Sequence, residues 1–191
     1  IIGTQGHVAY PERANNPIHS FAAPLSELSK LIWKDETGEF QDSALQISNI
    51  NAGTGATNVI PGNLILDLNV RYSPSTSVEM IQTDIESIIK KYNIDYEIHW
   101  DIGGKPFLTL EKELIDAIGE SIHEITGSSP KCTTNGGTSD GRFVAPTGAQ
   151  VVELGPGNAS IHKVNESVKI EDLENLFKIY KKILSKLLTT D

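Results

Sequence analysis

The sequence predicts a mixed α/β chain in two parts: a βαββαβ, ferredoxin-like two-layer unit over residues 1–105, then an α/β segment over residues 106–191. Three observations carry this expectation. Apolar residues switch between period two and period 3.6 in the order strand, helix, strand, strand, helix, strand as far as Asp101. The run GGKPF at 103–107 then interrupts the pattern with glycines and a proline, as a linker does. Past it, helical stretches alternate with short strand-like runs, the pattern of a parallel or mixed sheet.

The first strand is expected in IIGTQGHVAY, residues 1–10. It opens without a Met or a polar tail, so the chain reads as a piece cut from a longer one; an engineered or processed protein would look the same. From Asn16 to Trp33 the apolar positions Ile18, Phe21, Leu25, Leu28 and Ile32 fall at helical spacing, with Asn16 as cap and Pro17 at the first helical position. Residues 44–53 alternate imperfectly through Leu45, Ile47 and Ile50 before breaking on glycine. Residues 63–72 alternate cleanly, Leu64, Leu66, Leu68 and Val70 against Asp67, Asn69 and Arg71, which marks a half-buried antiparallel strand. Thr76 with Glu79 reads as a capping box. It opens a helix striped by Val78, Ile81, Ile85, Ile88, Ile89 and Tyr92, and IDYEIHW at 94–100 supplies the last strand. Two helices on one face of a four-stranded antiparallel sheet bury those stripes most economically.

In the second part a helix is expected over about 110–126 and a short strand near Cys132, followed by a glycine-rich turn at 135–143. A strand at 149–154, a second turn at 155–166 and a terminal helix over about 170–188 follow. Two short strands and two helices in roughly 85 residues make a poor sheet by themselves. This part therefore reads as the end of a larger α/β domain.

Composition narrows the function classes. Asp and Glu number 25 against 16 Lys and Arg, a formal net charge of −9, and the basic residues are dispersed, so no nucleic-acid partner is expected. The one basic stretch, Lys178 to Lys186, alternates with Ile179, Ile183 and Leu184 and reads as the wet face of a helix. No apolar run approaches the roughly 18 residues of a membrane span, and no leader pattern opens the sequence. A single cysteine, Cys132, suits a reducing compartment, so the expected setting is cytoplasmic, without a membrane partner.

Few residues look equipped for chemistry. In TNGGTSDGR at 134–142, tandem glycines let backbone N–H groups converge on an anion, with Thr138 and Ser139 adding hydroxyls; a tight turn capped by Ser139 or Asp140 reads equally well. His162, in GPGNASIHKVNE, sits where a metal ligand or general base could, yet no HExxH, CxxC or HxxxH accompanies it, and a structural loop histidine remains the alternative. His7 is either a surface strand residue or a donor to developing negative charge. Arg71 suits bidentate recognition of a carboxylate or a plain surface ion pair. His19, His99 and His123 fall off the apolar stripes and read as solvated. Ser139 lacks the GxSxG elbow, and Cys132 has no basic neighbour beyond Lys131, so nucleophilic catalysis finds little support.

Taken together, GTQGHVAYPERANNPIH, GTGATNVIPGNLILDLNVRYSP, TNGGTSDGRF and ELGPGNASIHKVNESV resemble the family of dinuclear zinc amidohydrolases and peptidases that holds carboxypeptidases, aminoacylases and acetylornithine deacetylase. The resemblance runs from Gly3 to about Ile183, and the GGTSDGRF and NASIHKVNE runs favour the family's desuccinylase branch. It implies a catalytic α/β domain interrupted by a βαββαβ lid that mediates dimerisation. Residues 1–105 look like the lid and residues 106–191 like the closing segment of the catalytic domain. The other half of that domain, with the remaining zinc ligands and a general-base Glu, is then expected upstream.

By the same resemblance His162 matches a zinc ligand, and His7 matches the lid histidine that stabilises the tetrahedral oxyanion in the partner subunit. Tyr10 and Asn58 match lid residues that approach substrate across the dimer, and Arg71 matches an arginine that holds a substrate carboxylate. Gly137, Thr138 and Asn158 match loop residues around the ligand. The implied cofactor is zinc, two ions per active site, replaceable by cobalt. The implied partners are a second copy through the lid and a small anionic substrate, an N-succinylated diamino acid. The 191-residue chain alone is expected to be inactive. Two other readings are a non-catalytic dimerisation or binding module, and a deacetylase or peptidase of the same family.

Overall fold

The computed structural model describes residues 1–136, 139–157 and 159–188. Its two units, Ile1–Pro106 and Phe107–Asp191, are taken in turn. The first contains β1 (Gly6–His7), α1 (Pro17–Leu28), β2 (Ile32–Trp33), β3 (Ser43–Ala52), β4 (Val59–Ile60), β5 (Leu64–Arg71) and α2 (Val78–Lys91).

The β3–β5 ladder is the backbone of this unit. Antiparallel pairs Leu45↔Val70, Ile47↔Leu68, Ile50↔Leu66 and Ala52↔Leu64 put the apolar residues of both strands on one face. The imperfect alternation of residues 44–53 has a structural cause: the register shifts between Ile47 and Asn49, a bulge that adds one residue and returns Ile50 to the apolar face. β2 pairs with the start of β3, and β1 pairs with β4. The first residues continue along the same edge, with Ile1 N donating to Leu64 O at 2.8 Å, Gly3 N to Gly62 O at 2.8 Å and an Ile2↔Asn63 bridge. Ile2 N also donates to Asp95 O at 2.8 Å. Side by side, the paired backbone segments therefore run 1–7, 59–71, 43–52, 32–33, with Asp95 joined to the first of them through Ile2.

α1 and α2 cover the apolar face. Phe21 and Leu28 from α1 and Ile81, Ile85 and Ile89 from α2 form one buried cluster with Trp33, Leu45 and Leu64. Leu28 and Ile85 are fully buried, each stabilising the fold by about 1.5–3 kcal/mol relative to exposure. Asn16 caps α1 as expected, accepting from Ile18 N at 3.0 Å, with Pro17 next.

Several expectations need correction. The first helix stops at Leu28, and Ile32 and Trp33 form β2. Ile32 keeps the helical spacing but is β-branched and meets the open edge of β3, while Trp33 is buried and donates its indole N–H to Asp84 Oδ2 at 2.7 Å. Ser77 rather than Thr76 caps α2, accepting from Met80 N at 3.1 Å; Thr76 is buried with its hydroxyl bonded to that of Ser43. Residues 94–100 form no ladder, although Ile94, Tyr96, Ile98 and Trp100 pack on the core in alternation. Of residues 1–10 only Gly6 and His7 count as strand.

The second unit holds α3 (Lys112–Thr126), α4 (Gly141–Val144) and α5 (Ile170–Leu188). α3 packs on α5, and each helix buries two residues, Ala117 and Ser121 on α3 and Ile179 and Ile183 on α5. Lys186 bridges Glu120 and Glu124, and Lys182 pairs with Glu124, tying the two helices across their wet side. Gly127 ends α3 with φ +72, a left-handed position that suits glycine, and its N–H donates to His123 O at 2.8 Å. The strands expected near Cys132 and at 149–154 are not formed. No strand is present among the described residues of this unit to pair with them. Instead Val151 is held through Thr109 Oγ1, Gln150 Oε1 accepts from Leu114 N, and Leu154 O accepts from the Tyr180 hydroxyl.

Candidate functional site

β1 brings three of the candidate residues together. His7 pairs with Val59, and the next amide, Val8 N, donates to Asn58 O at 3.1 Å, so Asn58 sits at the end of the strand that carries His7. The chain then turns sharply: Tyr10 N donates to His7 O at 2.9 Å and Arg13 N to Tyr10 O at 3.1 Å, starting a short helical turn at Pro11–Arg13. The turn sets the Tyr10 ring 5.9 Å from the His7 ring, centroid to centroid, and puts the Arg13 guanidinium 5.2 Å from the Tyr10 ring centroid. Ala9 N donates to His7 Nδ1 at 3.1 Å. His7, Tyr10 and Asn58 are all exposed, so the group presents an imidazole, a phenol and an amide to whatever approaches this end of the sheet.

Tight packing behind β1 fixes the group. A Cβ on Gly3 would lie 2.5 Å from Asn15 O and 2.6 Å from Pro17 Cδ, and one on Gly6 would lie 2.7 Å from Ala14 Cβ. Glycine at these positions lets the strand lie directly against the segment that leads into α1, to which Thr4 and Asn15 are bridged.

Arg71 is not part of that group. It ends β5, roughly 23 Å of strand (seven steps at ~3.3 Å) beyond Leu64, while residues 1–7 run the other way from Leu64. It is exposed on the polar face, paired in register with Ala44.

In the second unit His162 lies exposed in a tight loop. Its φ of +59 is left-handed, as is that of Asn165 at +62, and such conformations in non-glycine residues are uncommon and cluster at functional sites. The loop is closed by Glu166 Oε2 accepting from His162 N at 3.2 Å and by Ser160 Oγ, which bonds both the N–H and the C=O of Ser167. Gly137, Thr138 and Asn158 lie outside the described residues. Beside them Ser139 Oγ accepts from Gly141 N at 3.1 Å, while Asp140 makes no side-chain cap of α4. Sequence reasoning missed Ala9, Arg13 and Glu166. A Tyr-x-x-Arg spacing hinted at the second; the other two act through backbone bonds that leave no pattern.

Among the described residues no three His, Cys, Asp or Glu side chains gather to hold a metal ion. His162 by itself does not make a metal centre. No helix among the described residues is long and apolar enough to cross a membrane.

The first unit is a two-layer α/β unit, two helices on an antiparallel sheet, that exposes an imidazole group at one end. Residues 1–97 match the peptidase dimerisation domain of the M20 family, and the chain belongs to that family. It is similar along its length to succinyl-diaminopimelate desuccinylase of Methylococcus capsulatus, 54% identical over 188 residues covering 98% of this chain and 50% of the relative. The desuccinylase of Psychromonas ingrahamii is 50% identical over 189 residues, covering 99% of this chain and 50% of its own. The chain thus spans about half the length of the curated relatives it matches. Among solved structures, an M20 family metallo-carboxypeptidase from Sulfolobus solfataricus shares the fold with a TM-score of 0.75 at 17% identity, over 98% of this chain and 59% of that one.

Proposed function

We propose that the chain is the lid and the closing catalytic segment, residues 1–105 and 106–191, of a zinc-dependent amidohydrolase. Its substrate would be N-succinyl-L,L-2,6-diaminopimelate, and its products succinate and L,L-diaminopimelate, a precursor of lysine and peptidoglycan. The observation that carries this reading is the identity of about half, over 98–99% of the chain, with relatives that bear the desuccinylase name. Zinc, two ions per site with cobalt as a substitute, would be held mainly by residues outside this chain, with His162 as one ligand; among the described residues no three candidate ligands gather around it.

The chain's own residues then have separate tasks. His7 donates a hydrogen bond to the oxyanion of the tetrahedral intermediate, where removing a positioned donor costs about 10²–10³ in kcat. Tyr10 and Asn58 contact the substrate beside it. Arg71 grips a substrate carboxylate, and Gly137, Thr138 and Asn158 shape the loops around the ligand. The separation of Arg71 from the His7 group along β5 supports a site composed from two copies, His7 from one and Arg71 from the other. The dimerisation-domain match supports a homodimer through the lid.

Joining this chain to the upstream half of the Methylococcus capsulatus relative gives the enzyme for the test. Succinate release from N-succinyl-diaminopimelate is the expected activity; preference for N-acetyl amino acids or peptides would reassign the substrate. His7→Ala and Arg71→Ala enzymes should each be nearly inactive. Subunits mixed at random should recover about a quarter of wild-type activity, because half the dimers are mixed and each has one intact site. No recovery would place both residues in the same copy's site and sink the two-copy reading.

A further inference from the structure

The turn after β1 contains a bond that decides the chemistry of His7. A neutral imidazole has one N–H donor and one lone-pair acceptor, and which nitrogen is which depends on the partners. A backbone amide can only donate. Ala9 N lies 3.1 Å from His7 Nδ1 and bonds to it, so Nδ1 supplies the lone pair and the proton belongs on Nε2. Ala9 N has no backbone acceptor competing for it among the described bonds. The neighbouring amide, Tyr10 N, holds His7 O, so two successive N–H groups of one turn grip the same histidine, at its ring and at its carbonyl. The strand pair with Val59 holds the residue from the other side.

We propose that the Ala9 backbone amide is the positioning group that sets His7 in the Nε2–H tautomer and makes its exposed edge a dedicated hydrogen-bond donor. The bond leaves neither ring nitrogen free to accept a proton from substrate: Nδ1 is engaged by Ala9 and Nε2 already carries hydrogen. His7 is thereby suited to an oxygen that gains negative charge and unsuited to general-base work. This deepens, and rests on, the reading of His7 as an oxyanion donor, but the tautomer itself can be measured without any turnover.

The test is NMR on the 191-residue chain labelled with ¹⁵N, followed upward in pH until the His7 ring shifts no longer change. His7→Gln assigns the ring signals. The expected result is an Nδ1 shift at the unprotonated limit, an Nε2 shift at the protonated limit, and a through-hydrogen-bond coupling between the Ala9 amide nitrogen and Nδ1. Ala9→Gly keeps the amide and should keep the coupling. Ala9→Pro removes it, and both ring shifts should move to the averaged values of an imidazole that exchanges between its two tautomers. Averaged shifts in the unsubstituted chain, a protonated Nδ1, or no coupling to Ala9 would overturn the proposal. Such a result would leave the trans-acting role of His7 standing, since subunit mixing tests that separately. If Ala9→Pro fails to fold, the coupling in the unsubstituted chain and in Ala9→Gly still decides.

Discussion

Asp35 accepts hydrogen bonds from the Thr37 hydroxyl, the Gly38 and Phe40 amides and the Ser75 hydroxyl, and so closes the loop between β2 and β3. These donors, Thr37 foremost, hold its carboxyl well below the usual carboxylate range. Because the folded state favours the ionised form, the linked stability is fully present above the ordinary Asp value of about 3.9 and is lost as pH falls through the lower folded value. The Tm difference between the unsubstituted chain and Asp35→Asn should therefore be largest near neutrality and shrink in acid; a difference independent of pH would refute the assignment. Gly3 offers a test of packing. Gly3→Ala forces a Cβ against Asn15 O and Pro17, so thermal unfolding should show a loss of about 1–3 kcal/mol, as overpacking does. At this scale the sequence was a partial guide. It marked His7 and His162 as the histidines to watch, but it could not reveal the Ala9 bond or the left-handed backbone of His162, because both depend on turns with no periodic signature.

Helices were the most legible elements. The stripes of α2, α3 and α5 repeat every three or four residues, with Ser77 opening α2 and Gly127 closing α3, so existence and position follow from pattern alone. β5 was equally plain, since one face meets the helices and the other faces water. What failed was pairing. Residues 94–100 alternate and 149–154 read as a short apolar run, yet a ladder also needs a partner backbone in register, and neither pattern reports one. The opposite error occurred at Ile32, whose helical spacing was overridden by the free edge of β3. The α1–α2 layer makes a direct prediction: Leu28→Ala, at a fully buried contact between helix and sheet, should cost about 2–5 kcal/mol in urea unfolding, with an unchanged slope. A loss under 1 kcal/mol would mean that this cluster is not the core of the first unit.

At the scale of the whole molecule, the fold of the first unit was readable, whereas the site was readable only as scattered residues. Local rules left His162 and Arg71 open between surface and functional roles, and only the resemblance carried by four motifs in order singled them out. If His162 is this chain's one zinc ligand, as proposed, the purified chain should bind zinc little more tightly than a His162→Ala version and should release no succinate; calorimetry and an assay with added zinc check both. The attachment of the first strand has a further consequence, for the order of folding. The β3–β5 hairpin joins segments close in sequence, but Ile1 must find Leu64, 63 residues away, and Trp33 must find Asp84, 51 residues away. Such distant contacts carry the larger loop-closure entropy and form after the local ones. The turn that grips His7 is local and can form early, while its place beside Asn58 is reached only when the first strand docks, so the exposed imidazole group is completed among the last steps of folding.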